Sequence, residues 1–213
     1  MKPTDILGNI KLYNADCMEI MKGFNDKQFD LAICDPPYGL GDKLAHDGNG
    51  KNSQSKFTSE FKLKDWDNKI PDSSYFNELM RVSKNQIIWG GNYFPLPPTR
   101  CFICWDKMVF IPSMSRIEQA WTSFDKLPQL VQYNNTDPNR IHLTQKPVKL
   151  YKWLLQNYAE AGDIILDTHF GSLSIGIACH DMKFDLTAIE LDKDYYEQAK
   201  QRLINHQRQL TLF

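Results

Sequence analysis

The segment 162-GDIILDTHFGSLSIGIACHDMKFDLTAIELD-192 decides the fold, because its pattern predicts a strand, a turn of small residues, a helix and a second strand. Each predicted strand is apolar and ends in an acid, Asp167 in the first and Glu190 in the second. In nucleotide-binding βαβ units, a small-residue turn lets the backbone approach the ligand, and the later acid accepts hydrogen bonds from ribose hydroxyls. The segment therefore predicts a parallel strand pair with a ligand site at its carboxyl end.

The turn itself limits which ligand fits. It contains Gly171, Ser172, Leu173 and Gly176 rather than a full G-x-G-x-x-G, so a pyrophosphate is a poor match. S-adenosylmethionine carries a ribose but no phosphate, and it needs only close backbone approach and an acid for the ribose. Taken alone, the segment also fits an ordinary βαβ turn with incidental acids.

The rest of the chain alternates strand and helix patterns. Seven segments have strand character: residues 10–13, 29–34, 86–89, 101–105, 118–123, 164–166 and 185–189. Helical patterns follow capping positions at Asp72 or Ser73, at Pro147, and at Asp192 or Asp194. This alternation predicts an α/β fold with a doubly wound, Rossmann-like sheet of seven strands, in one domain spanning residues 1–213.

Composition limits the functions that are open to the chain. Its 213 residues carry a formal net charge of -1, so any affinity for nucleic acid has to come from a local basic patch. Five cysteines are an odd number, which is typical of a reducing, cytoplasmic compartment. Cys101 and Cys104 form a lone CxxC inside a strand pattern, so we expect no metal site. Without a long apolar segment or a basic leader, we expect no membrane insertion.

Residues 39–70 interrupt the alternation. This segment is polar, rich in Gly, Asn, Ser and Lys, and far longer than an ordinary connection. It fits either a solvated insertion or a mobile loop that orders on a partner. It begins directly after residues 35–38, which follow the predicted strand 29–34, and binding loops lie at such strand ends in open α/β sheets.

The segment 31-LAICDPPYGLGDK-43 places Asp35-Pro36-Pro37-Tyr38 where a buried strand stops. The exocyclic amine of adenine or cytosine is a poor nucleophile, because its lone pair is delocalised into the ring. The Asp35 carboxylate and the Pro36 carbonyl can accept the two amino protons and direct that lone pair at a methyl donor. Tyr38 offers a ring on which an extruded base can stack. As a bare match, the tetrapeptide also fits a rigid strand-to-loop turn.

Together, these motifs resemble the DNA amino-methyltransferases, especially the adenine-N6 family with permuted motif order. In that order the catalytic tetrapeptide comes first, a target-recognition region follows and the cofactor half comes last. The chain has the same order: 15-ADC-17, 35-DPPY-38, 87-IIWGGNYF-94, 142-HLTQKP-147 and 166-LDTHFGS-172. The resemblance covers most of the chain and is greatest to small methyltransferases of phage or prophage type. It implies a methyltransferase sheet, S-adenosylmethionine as cofactor and a DNA-contacting insertion at residues 39–70.

The resemblance also implies roles for single residues. It makes residues 35–38 the catalytic tetrapeptide, and it assigns Asp16 to the adenine of the cofactor and Glu190 to its ribose. The other implied cofactor residues are Cys17, Asp35, Lys146, Asp167, Thr168, Phe170, Gly171 and Ser172, with Lys146 at the methionine end. Two alternatives stay open, since Asp16 also fits a helix cap and Lys146 a solvated charge.

The cofactor loop departs from the family pattern. The family usually has Asp-Pro-Phe and then Gly-Ser-Gly, whereas this chain has Asp167-Thr168-His169 and then Gly171-Ser172-Leu173. Leucine stands where glycine normally permits positive φ. We expect negative φ at Leu173, because the preceding Gly and Ser are kept and small residues follow. We interpret His142 and His169 as loop residues, because no matching cluster of ligands accompanies them.

The leading function is methylation of the adenine N6 amine in double-stranded DNA. Cytosine-N4 methylation is the nearest alternative, although that branch more often has Ser in place of Asp35. A nucleotide-dependent dehydrogenase would leave the tetrapeptide unexplained. A non-catalytic DNA-binding relative with a damaged cofactor loop is suggested by Leu173. Relatives often form homodimers, which would help a small protein cover a duplex site.

Overall fold

One sheet organises the described part of the chain. The computed structural model of the protein describes residues 1–40, 67, 69–109, 115–142 and 144–209. Within these residues the strands are β1 (Asp5–Leu7), β2 (Ile10–Asn14), β3 (Phe29–Cys34), β4 (Ser83–Trp89), β5 (Phe102–Asp106), β6 (Ile117–Thr122), β7 (Gln129–Gln132), β8 (Ile164–Asp167) and β9 (Asp185–Glu190). They form one nine-stranded sheet in the order β1-β2-β9-β8-β3-β4-β6-β5-β7.

The centre of the sheet is parallel. β2, β9, β8, β3 and β4 all run in one direction, while β6 is antiparallel to both β4 and β5. The carboxyl ends of the parallel strands therefore meet along one edge, which we call the carboxyl edge. Ligands of open α/β sheets bind outside this edge.

Helices cover both faces of the sheet. They are α1 (Cys17–Met21), α2 (Ser73–Val82), α3 (Val148–Tyr158), α4 (Ser174–Met182) and α5 (Lys193–Gln207). Leu31 and Ile33 of β3 lie in the core shared with α3, α4 and α5, whereas Ala32 and Cys34 lie in the core shared with α1 and α2. Burial on both faces is what the continuous apolar run of β3 predicts.

Three helix starts follow from their caps. The side chain of Asp72 accepts the backbone N–H of Ser74 at the start of α2. Asp192 accepts two backbone N–H groups at the start of α5 in the same way, and Pro147 directly precedes α3. These starts confirm the capping positions predicted from the sequence.

The predicted α/β, doubly wound fold is confirmed, and each of the seven predicted strand segments lies in or overlaps a strand. The sheet has two further strands, β1 and β7, at its two edges. They have only three and four residues, and they expose Ile6 and Leu130, so their apolar pattern is weak. Residues 41–66 and 68, most of the predicted insertion, lie outside the described residues.

The lone CxxC lies at the start of a strand. Cys101 precedes β5 and Cys104 lies within it. Residues three apart in extended chain point to opposite faces, which separates the two sulfurs. In the described ranges, no group of three or more His, Cys, Asp and Glu side chains is arranged to hold a metal ion. Those ranges also include no helix that is both long and apolar enough to cross a membrane.

The expectation of negative φ at Leu173 is wrong. Leu173 caps α4 with φ 56°, in the left-handed region. Its side chain is fully buried in the core, and a Cβ added to Gly176 would come within 2.7 Å of its Cγ. Burial of the side chain offsets a left-handed strain of about 1 kcal/mol or more. The loop therefore has the backbone shape that glycine usually provides, with the leucine side chain packed beside Gly176.

This packing predicts a coupled pair of substitutions. Gly176→Ala should lower the free energy of unfolding by about 1–3 kcal/mol, because the added methyl group overpacks against Leu173. In a Leu173→Gly background the same change should be neutral or stabilising, since alanine is the better helix former by about 1 kcal/mol. Urea denaturation of the four proteins measures the coupling. Strictly additive effects would contradict the contact.

Candidate active site

Four neighbouring strands bring acidic side chains to the carboxyl edge. Asp35 follows β3, Asp167 ends β8, Glu190 ends β9 and Asp16 comes shortly after β2. Since β2, β9, β8 and β3 are consecutive in the sheet, these four positions lie side by side. The fold thus places the tetrapeptide next to the residues predicted to hold the cofactor, although the two groups are far apart in sequence.

The carboxylate of Asp35 is held by two donors. Its Oδ1 accepts a hydrogen bond from the Tyr38 hydroxyl, and its Oδ2 accepts one from Lys146 Nζ at 2.5 Å. The Lys146 side chain is only 2% exposed. Burial alone would lower the pKa of Lys146, but the nearby carboxylates of Asp35 and Glu118 raise it overall. Lys146 is therefore a buried, charged partner of Asp35 rather than a solvated surface charge, and its assignment to the methionine end stays a prediction.

A second carboxylate reaches Lys146 from β6. Glu118 Oε2 lies 3.0 Å from Lys146 Nζ, and Glu118 Oε1 lies 2.8 Å from Lys107 Nζ. Burial would raise the pKa of Glu118, but the two lysines lower it overall. Neither Glu118 nor Lys107 was predicted. The only sequence signal for Glu118 was an acidic residue in the predicted strand 118–123. The partners of this residue cannot be predicted without knowing the strand order.

The ring of Tyr38 is fixed from several sides. It stacks on Tyr93 with 5.1 Å between ring centroids and 15° between planes. Tyr93 ends a short 3-10 helix, Gly91–Tyr93, directly after β4. Burial raises the pKa of Tyr38, and the negative charge of Asp35 adds to the effect. The hydroxyl therefore stays protonated and serves as a donor to Asp35.

Gly90 is the residue that makes room for this ring. It has φ 70°, and an added Cβ would lie 2.2 Å from Tyr38 Cε1. Both the backbone conformation and the contact exclude a larger residue. The sequence segment 87-IIWGGNYF-94 thus supplies the space for Tyr38 and the ring stacked on it.

Asp67 holds the backbone at the end of the tetrapeptide and just after it. Its Oδ1 accepts the N–H groups of Tyr38 at 2.5 Å and Gly39 at 2.9 Å, and its Oδ2 accepts that of Leu40 at 3.2 Å. Burial raises the pKa of Asp67, although the three donors act in the opposite direction. The sequence analysis missed Asp67, because an acid in a polar insertion has no distinguishing pattern.

Glu190 links the cofactor loop to the end of β9. Its Oε2 accepts the backbone N–H of Gly171 at 2.9 Å, and its Oε1 accepts that of Asp192 at 2.9 Å. Burial raises the pKa of Glu190. Each carboxylate oxygen has two lone pairs, so both oxygens can accept one further hydrogen bond from a ligand hydroxyl.

The glycine turn is held from two other directions. Arg202 on α5 donates from Nη1 to the Ser172 carbonyl at 2.8 Å and to Ser174 Oγ at 3.0 Å. A Cβ added to Gly171 would lie 3.5 Å from the His142 ring. His142, which we interpreted only as a loop residue, therefore lies against the cofactor loop. Arg202 was not predicted from the sequence. Both depend on contacts between distant segments.

The acid after β2 caps a helix. Asp16 accepts the backbone N–H of Met18 at 2.7 Å and so caps α1. This geometry confirms the capping alternative, and the assignment of Asp16 to the cofactor's adenine stays a prediction. Next to it, Cys17 Sγ lies 3.9 Å from His169 Nε2. Burial raises the pKa of Cys17 to about 12, so this thiol is protonated at neutral pH.

Thr168 and His169 form a neutral polar cluster beside Cys17. Thr168 Oγ1 contacts His169 Nδ1 at 2.9 Å and the hydroxyl of Tyr75 on α2 at 2.6 Å. Burial lowers the pKa of His169 to about 4. The Thr-His pair that replaces the family's Pro-Phe therefore adds hydrogen-bonding groups to the carboxyl edge without adding charge.

Asp167 and Phe170 are both buried at the end of β8 and in the turn that follows it. Asp167 Oδ1 accepts the backbone N–H of His169 at 3.0 Å, and burial raises the pKa of Asp167 well above its ordinary value. The ring of Phe170 packs against Tyr196 of α5 in the core. The structure thus directs the Phe170 side chain into the core, while its neighbour Gly171 is hydrogen-bonded to Glu190.

Gly90→Ala tests how closely the backbone supports Tyr38. We expect a loss of unfolding free energy well above the roughly 1 kcal/mol of left-handed strain, because the methyl group would displace the Tyr38 ring. Gly162→Ala is the matched control, since Gly162 has φ 94° with no atom within 4 Å of an added Cβ. Chemical denaturation gives both values. Equal losses would mean that Gly90 does not contact Tyr38 closely.

Comparisons with known proteins identify the family to which the chain belongs. The sequence model of the N6_N4_Mtase family, described as DNA methylase, matches residues 83–201, more than half of the chain. The Type II methyltransferase M2.MboI of Moraxella bovis is 21% identical over 91% of this chain and 87% of its own.

Two solved structures share the fold. The PvuII DNA methyltransferase, described as cytosine-N4-specific, aligns with a TM-score of 0.65 at 14% identity, over 100% of this chain and 90% of its own. The M1.HpyAVI–SAM complex aligns with a TM-score of 0.59 at 18% identity, over 91% of this chain and 98% of its own. With the family match over more than half of its length, the chain belongs to the N6/N4 family of DNA methylases.

Proposed function

We propose that this protein transfers a methyl group from S-adenosylmethionine to the N6 amine of adenine in double-stranded DNA. The observation that carries the proposal is the arrangement at the carboxyl edge. Asp35 and Tyr38 are fixed at the end of β3, and the adjacent strands β8 and β9 carry the glycine turn and Glu190. A methyl acceptor and a methyl donor would meet between these two groups of residues.

The residues at β8 and β9 suit the cofactor. Glu190 keeps acceptor capacity on both carboxylate oxygens for the ribose hydroxyls. Gly171, with φ 47°, leaves the turn without a side chain. The neutral cluster of Cys17, Thr168 and His169 supplies hydrogen-bonding groups for an uncharged adenine ring. A related structure, described as a SAM complex, shares the fold. When bound, S-adenosylmethionine supplies an electrophilic methyl group.

Asp35 acts on the amine of the target base. Each of its carboxylate oxygens already accepts one hydrogen bond, from Tyr38 or from Lys146, and each has one more lone pair. An amino proton of the base can bond to that lone pair, and the Pro36 carbonyl can accept the other proton. Accepting both protons localises the nitrogen lone pair and directs it at the methyl donor.

Tyr38 provides the platform for a base turned out of the duplex. Enzymes that modify bases commonly stack the extruded base on an aromatic ring. The 5.1 Å separation between Tyr38 and Tyr93 leaves no room for a base between the two rings. Tyr93 is 44% exposed, so we expect it to swing outward when a base stacks on that face of Tyr38.

Adenine is favoured over cytosine by the first residue of the tetrapeptide. The sequence resemblance places Ser more often at this position in cytosine-N4 enzymes, whereas this chain has Asp35. Cytosine-N4 methylation is the second candidate, because the PvuII enzyme shares the fold across the whole chain. A relative named as a type II methyltransferase favours a modification role, and the resemblance favours a homodimer on DNA.

Leu173 bears on the choice between an enzyme and a non-catalytic DNA-binding protein. Its side chain is buried in the core, and its backbone adopts the left-handed conformation that glycine favours. Gly171 remains bonded to Glu190. These features support an intact cofactor loop and hence the enzyme.

The test of the proposal is a methylation assay with mixed double-stranded DNA. The protein is incubated with isotopically labelled S-adenosylmethionine, and the DNA is hydrolysed and analysed by nucleoside mass spectrometry. We expect labelled N6-methyladenine. Labelled N4-methylcytosine would replace the first candidate with the second, and no labelled nucleoside despite cofactor binding would contradict methyl transfer to DNA.

Asp35→Asn tests the role of the carboxylate. Turnover should fall by about 100-fold or more, because the substitution removes an acceptor used mainly in the transition state. Affinity for S-adenosylmethionine, measured by calorimetry, should change little. Asp30→Asn is the control, since Asp30 lies on β3, the strand that Asp35 follows, and also bonds a lysine, Lys84, at 2.6 Å. Retained turnover in Asp35→Asn would remove Asp35 from the mechanism.

A further inference from the structure

Glu118 is a partly buried acid whose role neither the sequence motifs nor the family match explains. It lies on β6, next to β4 in the sheet, and its side chain is 21% exposed. One of its oxygens faces Lys146 at 3.0 Å and the other faces Lys107 at 2.8 Å. Asp35 is therefore connected through Lys146 to Glu118, and through Glu118 to Lys107.

The four groups alternate in charge. Asp35 and Glu118 are acids, Lys146 and Lys107 are bases, and the set sums to zero when all four are ionised. Lys146 is the most deeply buried of them, at 2% exposure. A buried ammonium ion without sufficient counter-charge costs several kcal/mol and tends to lose its proton. With Glu118 present, Lys146 has a carboxylate on each side.

Other ionisable groups also face Lys146. The Tyr38 hydroxyl lies 3.4 Å from its Nζ. Burial raises the pKa of Asp167, and the nearby positive charge of Lys146 offsets this effect only in part. Tyr151 of α3 is influenced by the charges of Asp35, Asp167 and Glu118, and its pKa is raised mainly by burial. Both tyrosines are neutral at physiological pH, so Asp35 and Glu118 are the two acids in direct contact with Lys146.

We propose that Glu118 is a positioning residue for methyl transfer, which holds the Lys146 ammonium group against Asp35 while Lys107 holds Glu118. The inference rests on the proposed function. Lys146 donates to Asp35 Oδ2 and so fixes the carboxylate, leaving the other lone pairs for the amine of the base. Glu118 touches neither reacting group and acts only through Lys146.

Two ionisation states define when this arrangement fails. If Lys146 loses its proton at high pH, it ceases to be an ionic donor to Asp35. If Glu118 gains a proton at low pH, it ceases to be a counter-charge for Lys146. Because Asp35 and Glu118 raise the pKa of Lys146 and the lysines lower that of Glu118, both failures lie outside the neutral range in the unaltered protein.

Glu118→Gln should therefore change the pH profile of kcat. Removing the carboxylate lowers the pKa of Lys146, so the alkaline limb should move to lower pH. At neutral pH we expect kcat to fall by about tenfold or more, with the KM values for DNA and S-adenosylmethionine within about twofold of the unaltered values. A merely structural role would not move the alkaline limb.

Lys107→Gln should move the opposite limb. Removing this lysine raises the pKa of Glu118, so the acid limb should move to higher pH while the alkaline side stays near its original position. Arg116→Gln is the matched control, because it removes a cation from the same part of the sheet but Arg116 pairs with Asp106. It should leave both limbs unchanged. If Glu118→Gln fails to fold, the acid limb of Lys107→Gln carries the test.

The outcomes separate this inference from the proposed function. Unchanged limbs in both variants, with kcat within about twofold, would overturn the role of Glu118 while methylation stands. If the unaltered protein methylates no DNA, the interaction of Glu118 with Lys146 is tested by measuring thermal unfolding as a function of pH. Stability that depends on ionised Lys146 is present below its unfolded pKa and is lost as pH rises through its folded pKa. Glu118→Gln should lose it at a lower pH, and coincident curves would overturn the inference.

Discussion

The ion pair between Asp35 and buried Lys146 is the interaction on which the rest of the candidate site depends. An ammonium group this deeply buried is stable only with close, well-directed counter-charges. Asp35 comes from the end of β3, Glu118 from β6, and Lys146 from the segment that leads into α3. The full arrangement of Lys146 between Asp35 and Glu118 therefore requires three distant segments to meet, and it needs β4 in place between β3 and β6.

The carboxyl edge has two adjacent parts, one that holds the glycine turn and one that holds the tetrapeptide. On the side of β8 and β9, the acid of Glu190 ties down a glycine turn by accepting the N–H of Gly171. On the side of β3 and β4, Asp67 holds the backbone after the tetrapeptide, and Gly90 gives the Tyr38 ring its space. Both parts use a carboxylate to hold main-chain N–H groups. These hydrogen bonds hold the main chain on both sides of the site in place without a ligand, and such preorganisation favours transition-state stabilisation.

Sequence reasoning succeeded where the signal was local. The helix starts at Asp72 and Asp192 depend on a side chain and the N–H groups within the next three residues, and the buried strands depend on continuous apolar runs. It missed β1 and β7, which are short and lie at the sheet edges. It was wrong about φ at Leu173, because the compensating contact with Gly176 is visible only in the packed core. No local sequence pattern indicates the roles of Glu118, Asp67 and Arg202. Their contacts are with residues that are distant in sequence, so these roles become visible only in the folded protein.

The most direct test of the account is a crystal structure of the protein with a non-reactive analogue of S-adenosylmethionine. We expect the ribose hydroxyls of the analogue to bond to Glu190 and the analogue to pass over Gly171, with Leu173 still in the core. The atom that replaces the methyl-bearing sulfur should face Asp35. An analogue bound away from Glu190, or one oriented with its reactive end away from residues 35–38, would contradict it.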